Sequence, residues 1–266
     1  MKKVVFAIVL LAAPLVRAHD TWVIPNTFRV PKGAQVTFSI TSGMEFPKFE
    51  VAVKEDRIAR ATIDTRNGRI PLDHATSEAH ALQFSRRMQS NGVAVVAIES
   101  NPRSIELTPR EVDEYLDEIG AKESVGPIWN AMPEPKRWRE LYVKHAKTFI
   151  RVGDAGGDRT WSKPTGMRFE LVPASDPTDA HGGQPITFTL LEDGKRAASL
   201  PIGVVHEGSK GFETLTTDHD GRVTIRSLTA GRYLIRATKL RRSSSKQYDW
   251  ESDFTTVTFE VTGLHE

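Results

Sequence analysis

Apolar and polar positions alternate along most of this chain with the period of two that marks a half-buried β-strand. Val36, Phe38 and Ile40 follow the alternation, as do Phe49, Val51 and Val53. Residues 57–63 add another run. Residues 93–98 form an unbroken apolar stretch, which predicts a strand buried on both faces. Beyond Gln184 the rhythm is strict, with Ile186, Phe188 and Leu190, then Val223 and Ile225, then Tyr233, Ile235 and Ala237, then Val257, Phe259 and Val261. Turn residues punctuate the runs, among them Arg66-Asn67-Gly68-Arg69, Glu192-Asp193-Gly194-Lys195 and Asp218-His219-Asp220-Gly221. Short strands at this spacing predict a mainly β chain of two β-sandwich domains, the second of immunoglobulin or transthyretin type.

The period changes at Thr108-Pro109-Arg110-Glu111. An N-cap hydroxyl, a proline at the first helical position and a glutamate three residues after the cap together predict a helix start. Val112, Tyr115, Leu116 and Ile119 follow at helical spacing, and Gly120 stops the helix. A second helix is expected from Glu134-Pro135, with Trp138, Leu141, Tyr142, His145 and Phe149 as its apolar stripe. The pair reads as a helical insertion over residues 108–149 within a first sandwich spanning 19–163. The stretch 153–165 is rich in glycine and polar residues and reads as a linker or exposed loop. A second sandwich then covers 164–266.

Residues 1–18 read as a secretory signal. Lys2 and Lys3 form a charged start, residues 4–15 are apolar apart from Pro14, and Val16 and Ala18 fit the positions before a cleavage site. The run is shorter than the roughly 20 residues needed to span a bilayer, and no later segment approaches that length. The expected location is therefore periplasmic or secreted, with no transmembrane segment after cleavage. Removing Lys2, Lys3 and Arg17 from 36 basic residues leaves 33 against 34 acidic ones, so the mature chain is near neutral. That balance gives no footprint for nucleic acid. There are no cysteines, which excludes disulfides and a lipid-modified cysteine anchor.

Cleavage after Ala18 would make His19 the first residue. Its freed α-amine and its imidazole could then chelate a soft or borderline divalent metal such as Cu, Ni or Zn. Asp20 follows at once and offers a carboxylate. His74 and His80, near Asp73 and Glu78, are candidate labile ligands or solvated loop residues. His145 is a candidate ligand, or a satisfied core histidine on the apolar helical stripe. No His-Glu-x-x-His spacing, no Gly-x-Ser-x-Gly elbow and no phosphate-binding glycine loop occurs. Asp249-Trp250-Glu251 reads either as a sugar-stacking surface or as a strand lead-in.

In chain order, several segments resemble the DUF4198 family: Ala18 to Pro25, the Tyr115-Leu116 helix, the strip from Tyr142 through Lys147 to Val152, and Phe169 through Pro173 to Asp176-Pro177. Asp218 to Val223, Gly231 to Ala237, and Asp249 to Ser252 continue the match. The resemblance implies an extracytoplasmic protein linked to nickel or cobalt uptake, with an inner-membrane metal transporter as partner. Relatives often carry a histidine just after an Arg-Ala pair, where this chain has Thr238-Lys239. The reading that follows is a periplasmic protein that binds or delivers a transition metal, non-catalytic for want of any catalytic motif. The alternatives are a histidine-brace copper enzyme of oxidative chemistry, or an adhesion or polysaccharide-binding sandwich protein.

Overall fold

The computed structural model describes residues 19–263; the expected leader, 1–18, lies outside the described residues. The largest sheet has ten strands. At its centre Trp138–Val152 pairs in parallel with Trp250–Val261 and antiparallel with Gly92–Ser100. Ile58–Thr65 and Gly68–Pro71 extend the sheet on one side. Gly231–Arg242, Pro201–His206 and Glu213–Thr216 extend it on the other.

Two smaller sheets cover opposite faces of this one. Asp20–Pro25, Gln35–Gly43 and Leu82–Arg87 form the first. Their Val23, Phe38, Ile40 and Phe84 meet Ala94, Val96, Ile98, Ala146 and Ile150 of the long sheet. Phe169–Pro173, Ile186–Glu192 and Arg222–Ile225 form the second. Their Phe169, Phe188 and Val223 meet Val93, Val95, Phe149, Ile235, Val257 and Phe259. Even and odd residues of 93–98 thus enter different cores, as alternation along a strand requires. That is why this run shows no polar position. The chain is mainly β and of sandwich type, as the alternating pattern predicts.

The first helix, Pro109–Glu118, forms as expected with a complete Thr108–Glu111 capping box. The second expectation is corrected. Residues 138–152 are a strand, and the second helix is Lys122–Asn130. Both faces of Trp138–Val152 carry apolar or buried residues, so a 3.6-residue stripe can be drawn through a strand that has no polar face. Lys122–Asn130 contains Gly126 and Pro127, which hide a helix from propensity reasoning. The helical pair packs Val112, Tyr115, Leu116, Val125 and Trp129 against Trp138 and Trp250. Beneath it the buried Glu140 carboxylate accepts from Tyr115 Oη and Trp138 Nε1, both at 2.8 Å, and from Ser252 Oγ. Burial pushes this carboxyl up from its usual range, against the three donors.

The expected linker is well packed. Ala155, Asp158, Thr160 and Trp161 are buried. Asp158 accepts from the Val93 and Thr160 amides, each at 2.8 Å, and from Thr160 Oγ1 at 2.7 Å. Gly92, at φ +129°, leaves the space this needs, since a Cβ there would lie 2.0 Å from Asp158 Oδ2.

Candidate functional site

The strand Asp20–Pro25 buries Trp22, Val23 and Ile24. One edge pairs with Gln35–Gly43. On its other side, the hydroxyls of Thr256 and Thr258 donate to the carbonyls of Thr21 and Val23, each at 2.6 Å. Thus the backbone of the first strand is held against the long sheet by side-chain donors rather than by a ladder.

Two cations fix the strand's beginning. Arg236 Nη1 donates to Asp20 Oδ2 at 2.6 Å and lies 3.7 Å from Glu118 Oε1. The Arg236 guanidinium also lies over the Phe212 ring, 4.3 Å from its centre. It passes closely over Gly203, where a Cβ would come within 2.8 Å of Arg236 Nε. From the other side, Lys144 Nζ donates to the His19 carbonyl. The Lys144 ammonium sits 5.8 Å from the Tyr142 ring centre and 5.7 Å from that of Phe254. Burial pushes its pKa down to about 8, against the opposing pull of Asp20.

Beside this anchor opens a cleft of about 590 Å³ lined by Trp22, Met44, Phe46 and Phe212 and by Asp20, Glu118 and Arg236, among others. A narrower hollow of about 90 Å³ adjoins it and shares Asp20, Glu118, Phe212 and Arg236.

The structure separates the expected ligand residues. Lys144 reaches His19, so the next residue, His145, points to the opposite face of the strand. His145 is buried between Asp253 and Glu99, with Nε2 3.3 Å from Asp253 Oδ1 and Nδ1 3.2 Å from Glu99 Oε2. The expectation of a core histidine holds, though on a strand rather than a helix. Burial opposes its protonation, but hydrogen bonding to Asp253 and Glu99 prevails and raises its pKa. With a carboxylate facing each nitrogen, the surroundings favour the protonated ring, which has no lone pair to offer a metal. Arg241 continues the chain of charge, 2.6 Å from Asp253 Oδ2 and 3.0 Å from Glu251 Oε2.

His74 is exposed at φ +60°, and His80 is exposed with Nδ1 3.0 Å from the Glu50 carbonyl oxygen. Among the described residues, no three His, Cys, Asp or Glu side chains converge on a metal position. The Asp20 carboxylate, expected as a ligand, is engaged by Arg236. Trp250 is buried and stacked on Trp138 at 4.6 Å, so the sugar-stacking reading of Asp249-Trp250-Glu251 fails. Arg236, Glu118, Lys144 and Phe212 had no local signal, because their roles come from sheet pairings and helix packing far apart in sequence.

The model of the family described as "Domain of unknown function (DUF4198)" matches residues 16–240. The chain belongs to the DUF4198 family. Among curated proteins none is significantly similar to this DUF4198 chain. Several solved structures are distantly similar. The BSP domain of a biofilm-associated protein is 11% identical over 89% of this chain, which spans 29% of that one, at a TM-score of 0.21. The D0-D1 domain of intimin is 13% identical over 91% of this chain and 97% of its own, at 0.21. Murine CEACAM1b is 9% identical over 92% and 100%, at 0.22.

Proposed function

We propose that this DUF4198 protein is an exported, non-catalytic carrier that captures a divalent transition metal through His19 as its first residue. Nickel or cobalt is the cargo expected from the family resemblance, and an inner-membrane metal transporter is the expected recipient. The observation that carries the reading is the anchoring at His19-Asp20. The His19 carbonyl is held by Lys144 and the Asp20 carboxylate by Arg236. A free chain start usually frays. Here the backbone beside the would-be α-amine is held, so the amine and the imidazole would form a chelate whose ordering cost is already met by the fold. Asp20 then serves as the anchor of the site rather than as its ligand.

The test is calorimetric titration of NiCl₂ into two forms of the protein, one beginning at His19 and one carrying a single glycine before it. The added residue converts the α-amine into an amide and leaves every side chain in place. The form beginning at His19 is expected to bind more tightly by about tenfold or more, equivalent to about 1.4 kcal/mol. Equal affinity of the two forms would remove the terminal amine from the site. Affinity is also expected to rise from pH 6 to pH 8 as both donors lose protons.

A further inference from the structure

We infer that a small hollow between the sheet of the first strand and the long sheet is a binding site for a planar oxyanion, the chemistry shared by nitrate, bicarbonate and a small carboxylate. This goes beyond metal capture and does not depend on it. The hollow has a volume of about 30 Å³. One enclosed water needs roughly 10–15 Å³, so the space suits two or three water-sized groups. That matches a compact anion of a few heavy atoms rather than a ligand with an organic body.

The charge around the hollow has one sign. Arg57, Arg103 and Lys144 line it, and among the described residues no aspartate or glutamate does. Arg103 has a counter-charge in the exposed Asp56, 3.1 Å away. Arg57 and Lys144 have no ion-pair partner among the described residues; their side chains donate to Tyr142 Oη and to the His19 carbonyl, which are neutral acceptors. The two lie close enough to repel each other. Asp20 attracts Lys144 from a distance, but it leaves the first strand on the face opposite to Thr21 and is bound by Arg236. An anion in the hollow would therefore meet two cations that no neighbouring carboxylate neutralises.

Hydrogen-bond donors outnumber their acceptors there. Arg57 spends Nη2 on Tyr142 Oη at 2.8 Å, and Lys144 spends one of three ammonium hydrogens on His19. Arg103 Nε is buried and has no acceptor among the described residues. Arg103 stands directly opposite Tyr142 in the pairing of Arg103–Leu107 with the long central strand, so the two side chains share a face. Tyr142 accepts from Arg57 and keeps its own hydroxyl hydrogen to give. Thr21 Oγ1 and Ser42 Oγ bond to each other at 2.6 Å with one hydrogen, which leaves the second. Ile40, Val53, Ile58 and Ile98 also line the hollow, and apolar surroundings strengthen each charged hydrogen bond. A guanidinium fork fits two oxygens held in one plane, which a planar oxyanion offers and a halide does not.

The experiment is calorimetric titration of sodium nitrate, bicarbonate and formate into protein stripped of metal with EDTA and dialysed, with sodium chloride and sulfate as comparisons. At least one planar anion is expected to bind one-to-one with a Kd of about 1 mM or tighter. Which of the three binds most tightly separates an inorganic anion from an organic acid as the source. Chloride, which lacks the paired oxygens, and sulfate, which is bulkier and tetrahedral, are each expected to bind about tenfold more weakly or worse. Arg57→Gln is expected to weaken binding about tenfold or more, and Arg103→Gln several-fold with little change in thermal midpoint. Lys195→Gln, an exposed residue outside the hollow, is expected to bind as the parent does. Should Arg57→Gln not fold, Arg103→Gln alone decides. The inference is overturned if no planar anion binds at millimolar concentration, if chloride or sulfate binds as tightly, or if the folded arginine variants bind as the parent does. Because metal is absent throughout, none of these results bears on the role of His19.

Discussion

Replacing Lys147 with methionine is expected to lower the free energy of unfolding by about 3–5 kcal/mol in urea denaturation. Lys147 is 1% exposed, and its Nζ donates to Glu170 Oε2 at 2.6 Å and to the Leu171 carbonyl at 3.0 Å. Glu170 also accepts from the Thr165 amide at 3.0 Å, Thr165 Oγ1 at 2.8 Å and the Gly166 amide at 3.1 Å. The pair joins the central strand to the segment that opens the second half of the chain. Methionine fills the volume but leaves a buried carboxylate without its counter-charge. That residual cost, rather than the worth of the pair itself, sets the size of the effect. Burial works against the Glu170 carboxylate, but Lys147 and the Thr165 donors prevail and hold its pKa below the usual range. A depressed carboxyl stabilises the fold above its unfolded pKa, and that contribution is lost as pH falls through the folded value. The difference in unfolding free energy between parent and variant should therefore shrink as the pH falls, because the parent loses on protonation of Glu170 the contribution that the variant already lacks. A variant within about 0.5 kcal/mol of the parent would contradict this account.

His145→Ala is expected to cost about 3 kcal/mol, from the cavity and from the weakened pairing of Asp253. The effect is tempered because Arg241 and Arg168 still face Asp253, at 2.6 and 3.7 Å, and because Glu99 is partly exposed beside Arg60. The pH dependence distinguishes the charged ring from simple packing. A histidine whose folded pKa is raised stabilises the fold fully below its unfolded pKa of about 6.5, and the contribution is lost as pH rises through the folded value. The thermal midpoint of the parent minus that of the variant should therefore shrink as pH rises above about 6.5. Taking the difference removes the opposite trend from Lys144, whose depressed pKa makes the fold gain stability as pH rises past about 8. A difference independent of pH would mean that the buried ring is neutral.

Much of this fold could be read from residues alone, wherever one strand face is buried and the other wet. Ile186–Glu192, Arg222–Ile225 and the helix Pro109–Glu118 were legible for that reason. Trp138–Val152 was misread because it lies at the centre of the molecule with buried residues of both parities, so the distinction between periods vanishes. Its parallel pairing with Trp250–Val261 joins residues more than a hundred positions apart and leaves no local trace. The candidate site was half visible. His19 and Asp20 stood out because of their place after Ala18. The groups that hold them, Arg236 and Lys144, are ordinary strand cations until the sheets bring them to the first strand. His145 shows the reverse, as its residue type suggests a ligand while each of its ring nitrogens faces a carboxylate.

The most direct measurement is a crystal structure of the protein beginning at His19, grown with NiCl₂ and recorded with anomalous data at the nickel edge. The account predicts a peak about 2.0–2.1 Å from both the His19 α-amine and a nitrogen of its imidazole, with Asp20 still bound to Arg236. A peak bound elsewhere, or none beside His19, would contradict it.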